Sequence, residues 1–317
     1  MIAFLRLAGR RFIWLPVTVI GVTLLVFFLM QFTPTDAATN ALGESATEAA
    51  KAAYRTANGL TDPFFVQYFR FLGGLFTGNL GDTVPPAQPV TSLVATAFPL
   101  TLQLTFLGLL IAVVLALVLG VTAALYRDRW PDQIIRVISI AGIAMPSFWL
   151  AILLIKTFAL DWGWFPSGGY VNPGDSLSGW LQSMWLPALA LGVPVGASLT
   201  RVVRTSMVEE LDKDYVRTAI GSGLPKVVVV GRNVLRNALI TPVTVLGLRV
   251  GYLLGGAVVI EVIFDLPGMG KLILNGVTSG DTNLVQGVTI VIALTFIVVN
   301  IVVDMLYLLI NPRIRTV

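Results

Sequence analysis

The chain has 317 residues, 56% of them hydrophobic and 12% charged, with a formal net charge of +4 and a mean hydropathy of +0.85. Soluble domains carry about 25% charged residues, so this composition belongs to a protein solvated by lipid. The chain has no cysteine and no histidine, which excludes disulfides, thiol and His-dependent triads, HExxH sites and Cys- or His-based zinc centres.

Taken in order, Arg6, Arg10 and Arg11 precede a first apolar run, Phe12 to Phe32. At about 20 residues it is long enough to cross a bilayer. It is too long for a cleaved signal peptide and no A-x-A site follows Thr33-Pro34, so an uncleaved anchor is expected over residues 1–33. An external segment, 34–97, follows. In it Asp62-Pro63 opens an amphipathic stretch that should end at Gly73-Gly74, and Pro85 to Pro89 reads as an extended connector. Five further spans are expected within 98–310. The second starts with Pro99 in its first turn and runs to Leu125. The third, Ile134 to Phe158, should kink at Pro146. The fourth, Trp185 to Val203, contains Pro187 and Pro194 and should be irregular and buried against protein. The fifth, Leu239 to Ile263, carries Gly247, Gly251 and Gly255 as a face for close helix contact, and the sixth is Leu284 to Ile310. A short tail, 311–317, completes the chain.

Placing both ends inside leaves only Lys51, Arg55, Arg70 and Lys271 in outer loops, with Lys156 and Arg249 inside spans and every other Lys and Arg in inner loops. That bias satisfies the positive-inside rule at each loop and makes 204–238 an inner loop. Because the basic residues sit in short clusters between spans and form no groove, a nucleic-acid partner is excluded. The longest polar interruption is Met207 to Pro225. Asp214 is a suitable N-cap, Tyr215 to Ile220 make about two turns, and Gly221 and Gly223 stop them before Leu224-Pro225. Tyr215, Thr218, Ala219 and Ser222 share a face by spacing. A water-exposed helix with small residues on it suits a partner protein.

No enzymatic constellation is present. Pro267-Gly268-Met269-Gly270-Lys271-Leu272 departs from a phosphate loop at Asp265 and Leu272, so it reads as a turn. Glu209-Glu210 and Asp212-Lys213-Asp214 read as a solvated charged approach to the helix. Lys156 and Glu261 lie near outer span ends, and Asp304 suits a packing or capping charge. Arg249 sits near the middle of the fifth span. It either lines a substrate path, with Glu261 as a second candidate, or neutralises a neighbour or binds backbone carbonyls.

DYVRTAIGSGL from Asp214, RNVLRNALITPVTVLGL from Arg232, VQYFRFLGGLFTGNLG from Val66, PSFWL from Pro146, GWFPSGG from Gly163, GGAVVIEVIFDLPGMGKL from Gly255 and the ending VNIVVDMLYLLINPRIR cover essentially the whole chain. Together they resemble the inner-membrane permeases of ABC importers, of the DppB/OppB type that serve dipeptide, oligopeptide and nickel systems. The importer signature is Glu-Ala-Ala, three residues, then Gly; here Arg217-Thr218-Ala219 and Gly223 occupy those positions. Ile220-Gly221-Ser222 stands where this branch usually has Arg-Ala-Lys, and of the later Ile-x-Leu-Pro only Leu235 is kept.

The resemblance implies an all-α membrane protein of six transmembrane helices with the type I importer transmembrane fold. It further implies half a pathway for short peptides across a bacterial or archaeal inner membrane; nickel chelates, glutathione and other small solutes are alternative cargoes. Partners would be a second homologous permease of the DppC/OppC type, two ABC ATPases that hold the ATP and Mg, an extracytoplasmic substrate-binding protein and membrane lipid, with no cofactor on this chain. Asp214, Tyr215, Val216, Arg217, Thr218, Ala219, Gly223 and Leu224 would form the coupling helix against one ATPase. A stand-alone secondary transporter would explain six spans and intramembrane charges but gives this polar helix no task.

Overall fold

Backbone amides in hydrocarbon have no water to bond, so a chain this apolar must satisfy them internally, and helices do so segment by segment. The computed structural model describes residues 2–32 and 36–310, without the side chains of 2–14, 304 and 306–310. Arg6, Arg10, Arg11, Asp304, Arg313 and Arg315 therefore lie outside the described side chains, as does Thr33-Pro34 outside the described residues. Among the described residues every named element is helical. The chain runs through α1 (Ile2–Met30), α2 (Ala37–Leu42), α3 (Glu48–Ala57), α4 (Phe64–Thr77), α5 (Val90–Leu125), α6 (Trp130–Ala144) and α7 (Ser147–Leu154). After a π-helical stretch at Ile155–Asp161 come α8 (Leu177–Leu211), α9 (Asp214–Gly221) and α10 (Lys226–Val228). A second π-helical stretch, Val229–Val234, leads to α11 (Leu235–Ala238), α12 (Ile240–Ile263), α13 (Met269–Thr278) and α14 (Thr282–Ile310).

Four helices are individually long and apolar enough to span: α5, α8, α12 and α14 over Thr282–Val303. Helix α6 and the segment Ser147–Asp161 make at most a fifth, bent by 103° at their junction. The kink expected at Pro146 is thus a full break. Proline drives the residue before it out of the helical region, and Met145 is extended at φ −85° and ψ 116°. In α1 the apolar stretch described with side chains is Leu15–Met30.

Several expected boundaries move. Helix α5 begins at Val90, so Pro99 lies inside it rather than in its first turn. Helix α4 continues through Gly73-Gly74 to Thr77 and closes on Gly78, left-handed at φ 75°. The proline-rich connector folds back on itself, with Asp82 paired to Pro89 and Thr83 N–H donating to Gln88 O at 2.9 Å. The phosphate-loop look-alike is the start of α13.

The chain divides into two bodies, residues 1–101 with 267–298, and 102–266 with 299–317. The first is centred on Val90, Val94 and Ala97 packed with Met269, Leu284 and Val288. In it α4 lies on α1, where Phe27 meets Phe64 and Tyr68 edge-on and the Thr23 and Tyr68 hydroxyls bond at 3.0 Å.

The second body is organised around α8, which packs against α6, α7 and α12. Contrary to expectation, α8 is not irregular: it stays helical through Pro187 and Pro194. Each interior proline costs about 3 kcal/mol, and here 67% of the span is buried, so packing outweighs the loss. That packing is backbone-close. A Cβ on Gly192 would lie 2.5 Å from Gly108 O of α5, and one on Gly196 would lie 3.1 Å from Ala112 Cα. Gly108, Ala112, Ala116 and Gly120 recur every four residues on α5, so small residues meet small residues along this contact. The glycine face expected on α12 is only partly used: Gly247 abuts Val303, whereas no described residue lies near a Cβ on Gly255; its neighbour Gly256, outside that face, abuts Leu191.

Candidate functional site

A helix of eight residues such as α9 does not persist alone in water, so what anchors it decides what it can do. Lys213 precedes it as the cap residue but makes no side-chain capping bond to the helix, and Asp214 is its first helical residue rather than its cap. Val216 is buried, and Tyr215 and Ala219 are half-buried. The Tyr215 hydroxyl donates to Glu210 Oε1 at 2.8 Å, and Asn237 Nδ2 donates to the same oxygen at 3.1 Å. Lys213 Nζ bonds the other oxygen, Glu210 Oε2. Burial, with the Glu210 carboxylate beside it, raises the Tyr215 phenol above its ordinary value, so it stays a neutral donor. Glu210 is thus no solvated charge: it is 7% exposed and holds α8, α9 and α11 together.

The opposite face is open. Arg217, Thr218, Ile220, Gly221 and Ser222 are exposed, and Arg217 pairs loosely with Asp214 at 3.7 Å. The four-residue face anticipated from spacing is therefore divided, with Tyr215 and Ala219 turned inward and Thr218 and Ser222 outward. Beyond α9, Leu224, Val227 and Val228 continue an exposed apolar strip from Ile220. Gly223 joins the halves at φ 83°, a left-handed conformation that only glycine adopts without strain. Among the described residues nothing lies within 4 Å of a Cβ placed there, so its requirement is conformational.

Two ion pairs fix the same end of α8. Arg204 donates from Nε and Nη2 to Asp132 Oδ1 and Oδ2 at 3.2 and 2.7 Å, and the Asp128 N–H donates to Oδ2 at 3.0 Å. Asp132 is wholly buried. Arg127 Nη1 reaches Asp212 Oδ2 at 2.7 Å. The turn between α5 and α6 is therefore clamped to α8 a few residues before α9. Asp132, Glu210 and Asn237 were missed as site residues in the sequence. Asp132 was legible as an acid in a first turn after Trp130-Pro131, but its partner stands 72 residues away.

The two candidate path residues separate. Arg249 is half-buried on α12 and donates from Nη2 to Ser198 Oγ of α8 at 3.3 Å. Glu261, twelve residues on and so about 18 Å along the helix, is 0% exposed and presents no surface to a passage within this chain. Lys156 is exposed within the first π-helical stretch.

Among the described residues no group of acids could hold a metal ion. The arrangement is a short helix seated on a long buried one, with an apolar strip turned outward. Comparison with known proteins identifies the machine. Residues 116–316 match the model of the "Binding-protein-dependent transport system inner membrane component" family, and residues 1–105 match its N-terminal companion. A protein of Brucella abortus, provisionally named a peptide transport system permease protein, is 38% identical over 301 residues, covering 95% of this chain and 96% of the relative. A counterpart in Brucella suis matches equally. The glutathione transport system permease protein GsiC of Salmonella paratyphi A is 37% identical over 306 residues, covering 96% and 97%. The chain belongs to the binding-protein-dependent transport system inner membrane components, as a permease subunit of an ABC importer.

Proposed function

We propose that this permease forms half of a translocation pathway for short peptides across the cytoplasmic membrane, with α9 as the helix that couples it to an ATPase. The carrying observation is the split of α9 into a seated face, fixed by Val216 and the Glu210 cluster, and an open strip of Ile220, Leu224, Val227 and Val228. Nucleotide-driven closure of an ATPase groove on that strip would reach α8 as a rigid-body shift, because Glu210 belongs to α8 itself. The loss of two positive charges at Ile220-Gly221-Ser222 makes this a contact of shape and apolar area more than of ion pairs.

The basic bias of the loops puts α9 and both termini on the ATPase side. The partners are a second permease of the DppC/OppC type, two ATPases that carry ATP and Mg, and an external binding protein. The names of the relatives support a peptide-like cargo, glutathione being itself a modified tripeptide. Arg249, half-buried at mid-span, is the candidate to meet a carboxylate of that cargo; unchanged uptake and preference in Arg249→Gln would remove it from the path.

Reconstitution with the partner subunits tests the coupling. Leu224→Glu with Val227→Glu places charge in the apolar strip without touching the seat, and should abolish ATP-driven peptide uptake and release the ATPases on purification. Full transport by that variant refutes the assignment. Because the chain has no cysteine, Ser222→Cys gives a single labelling site. Reaction with an impermeant maleimide from outside intact cells would invert the topology.

A further inference from the structure

We propose that the second body carries a binding site for the phosphate headgroup of an anionic phospholipid, in a cavity of about 240 Å³ bounded by α5, α6 and α8. Its wall includes Arg136, Arg201, Arg204, Ser139, Thr200 and Thr205. Arg204 is held bidentate by Asp132, and Arg136 stands 3.6 Å from the same carboxylate. Arg201 has no acidic partner among the described residues. Three guanidinium groups against one carboxylate leave two positive charges over a small space. The carboxylate, wholly buried behind Arg204, also fixes the orientation of that fork. Ser139 is only 2% exposed, and no described residue bonds its hydroxyl, so a donor stands ready in the wall. Guanidinium forks and hydroxyls are the donors that a tetrahedral phosphate takes.

The surroundings select a lipid over a soluble phosphate. Helix α6 turns an apolar face outward from the cavity, with Val137 67% and Ile138 57% exposed, a surface suited to acyl chains. Tyr126 and Trp130 are exposed at the end of the membrane helices where the cavity lies, as aromatic residues are at the headgroup level. A basic pocket between transmembrane helices at that depth is the geometry in which anionic headgroups bind. The site lies against the Asp132–Arg204 clamp, so an occupant would bear on the seat of α8. This inference is independent of the cargo.

The test uses the full-length chain assembled with its partner permease, extracted from membranes containing phosphatidylglycerol and phosphatidylcholine, with retained lipid counted by native mass spectrometry. Wild type should retain phosphatidylglycerol in preference to phosphatidylcholine. Arg201→Gln, at an exposed position that does not endanger folding, should cut that retention about fivefold, and Ser139→Ala about threefold. Arg232→Gln, which removes an exposed charge elsewhere, should leave it unchanged. Equal retention of both lipids, an unaffected Arg201→Gln, or an equal loss in Arg232→Gln overturns the site. Saturable binding of inorganic phosphate without any lipid preference assigns the cavity to a soluble anion and overturns the lipid.

Discussion

Replacing Glu210 with alanine should detach α9 while leaving the membrane helices in place. The buried carboxylate accepts from Tyr215 and Asn237 and pairs with Lys213, so its removal takes three charge-assisted contacts from α9 and leaves the half-buried Tyr215 hydroxyl without its acceptor, while the exposed Asn237 amide turns to water. Hydrogen bonds to a buried charged group are worth about 1.5–3 kcal/mol, and the Lys213 pair, half-exposed, adds less than 1. A loss near 3 kcal/mol is therefore expected. What remains is the burial of Val216, at about 1.5 kcal/mol, too little to hold eight residues that have no stability of their own. Hydrogen exchange reads this directly: the α9 amides should exchange roughly 100-fold faster, since 1.4 kcal/mol is a factor of ten. Amides in the middle of α8 should keep their protection, and ATP-driven uptake should fall with the yield in the membrane unchanged. If α9 protection were unaltered in Glu210→Ala, the buried cluster would not be its anchor, and the coupling route argued through α8 would be wrong.

Two further consequences concern packing and pH. Gly192→Ala should lower the thermal midpoint of the purified protein by an amount corresponding to about 1–3 kcal/mol, because its Cβ would meet the Gly108 carbonyl, a backbone atom that cannot step aside. Gly221→Ala, with open space around it, should be neutral or slightly stabilising; equal effects from both would refute the close α5–α8 contact. In the first body, the Arg55 guanidinium beside Asp36 holds that carboxyl well below the usual aspartate range against the opposing effect of burial, with the Thr39 hydroxyl and amide adding to the lowering. A depressed folded value makes its contribution complete above about pH 3.9 and lost only as pH falls through the lower folded value. Carboxyl NMR should find Asp36 still ionised where ordinary aspartates protonate, and Arg55→Gln should return it towards their range; a normal titration in the wild type refutes the pairing.

Much of this was readable from residue order. Long apolar runs mark α5, α8, α12 and α14 because hydrocarbon demands about 20 apolar residues whatever the tertiary context. The α9 helix was readable from Tyr215 to Gly223 because a local polar stretch ended by glycines is a local event. What failed was decided at long range. Pro187 and Pro194 argued for an irregular fourth span, but the α5–α8 contact outweighs two lost hydrogen bonds; Gly192 and Gly196 flank Pro194, yet the Gly108 and Ala112 they meet stand far off in the sequence on α5. Glu210 looked solvated beside Glu209 and Asp212, yet its partner Asn237 arrives from 27 residues away. Half of the presumed contact face, Tyr215 and Ala219, is consumed internally for the same reason. Spacing shows which residues share a side of a helix; only the fold shows which side is taken.

That distinction bears on how α9 could reach the pathway. Glu210 and Ser198 both belong to α8, twelve residues and so about 18 Å apart, and Ser198 receives the Arg249 guanidinium from α12. No side chain links the two sites directly, so substitutions there should act independently: effects at sites more than 7–10 Å apart normally add to within about 0.5 kcal/mol. A helix moving as one body makes a different demand, because disturbing the seat of α9 then changes how Arg249 is presented. A double-mutant cycle of Glu210→Ala and Ser198→Ala, read in the KM and kcat of ATP-driven uptake, separates the cases. Rigid coupling predicts that Ser198→Ala matters in the wild type and much less once α9 is unseated, leaving an interaction energy of about 1 kcal/mol. Strict additivity would mean that α8 flexes between the two positions, and the transmission would have to be sought instead through the Asp132–Arg204 clamp and α6.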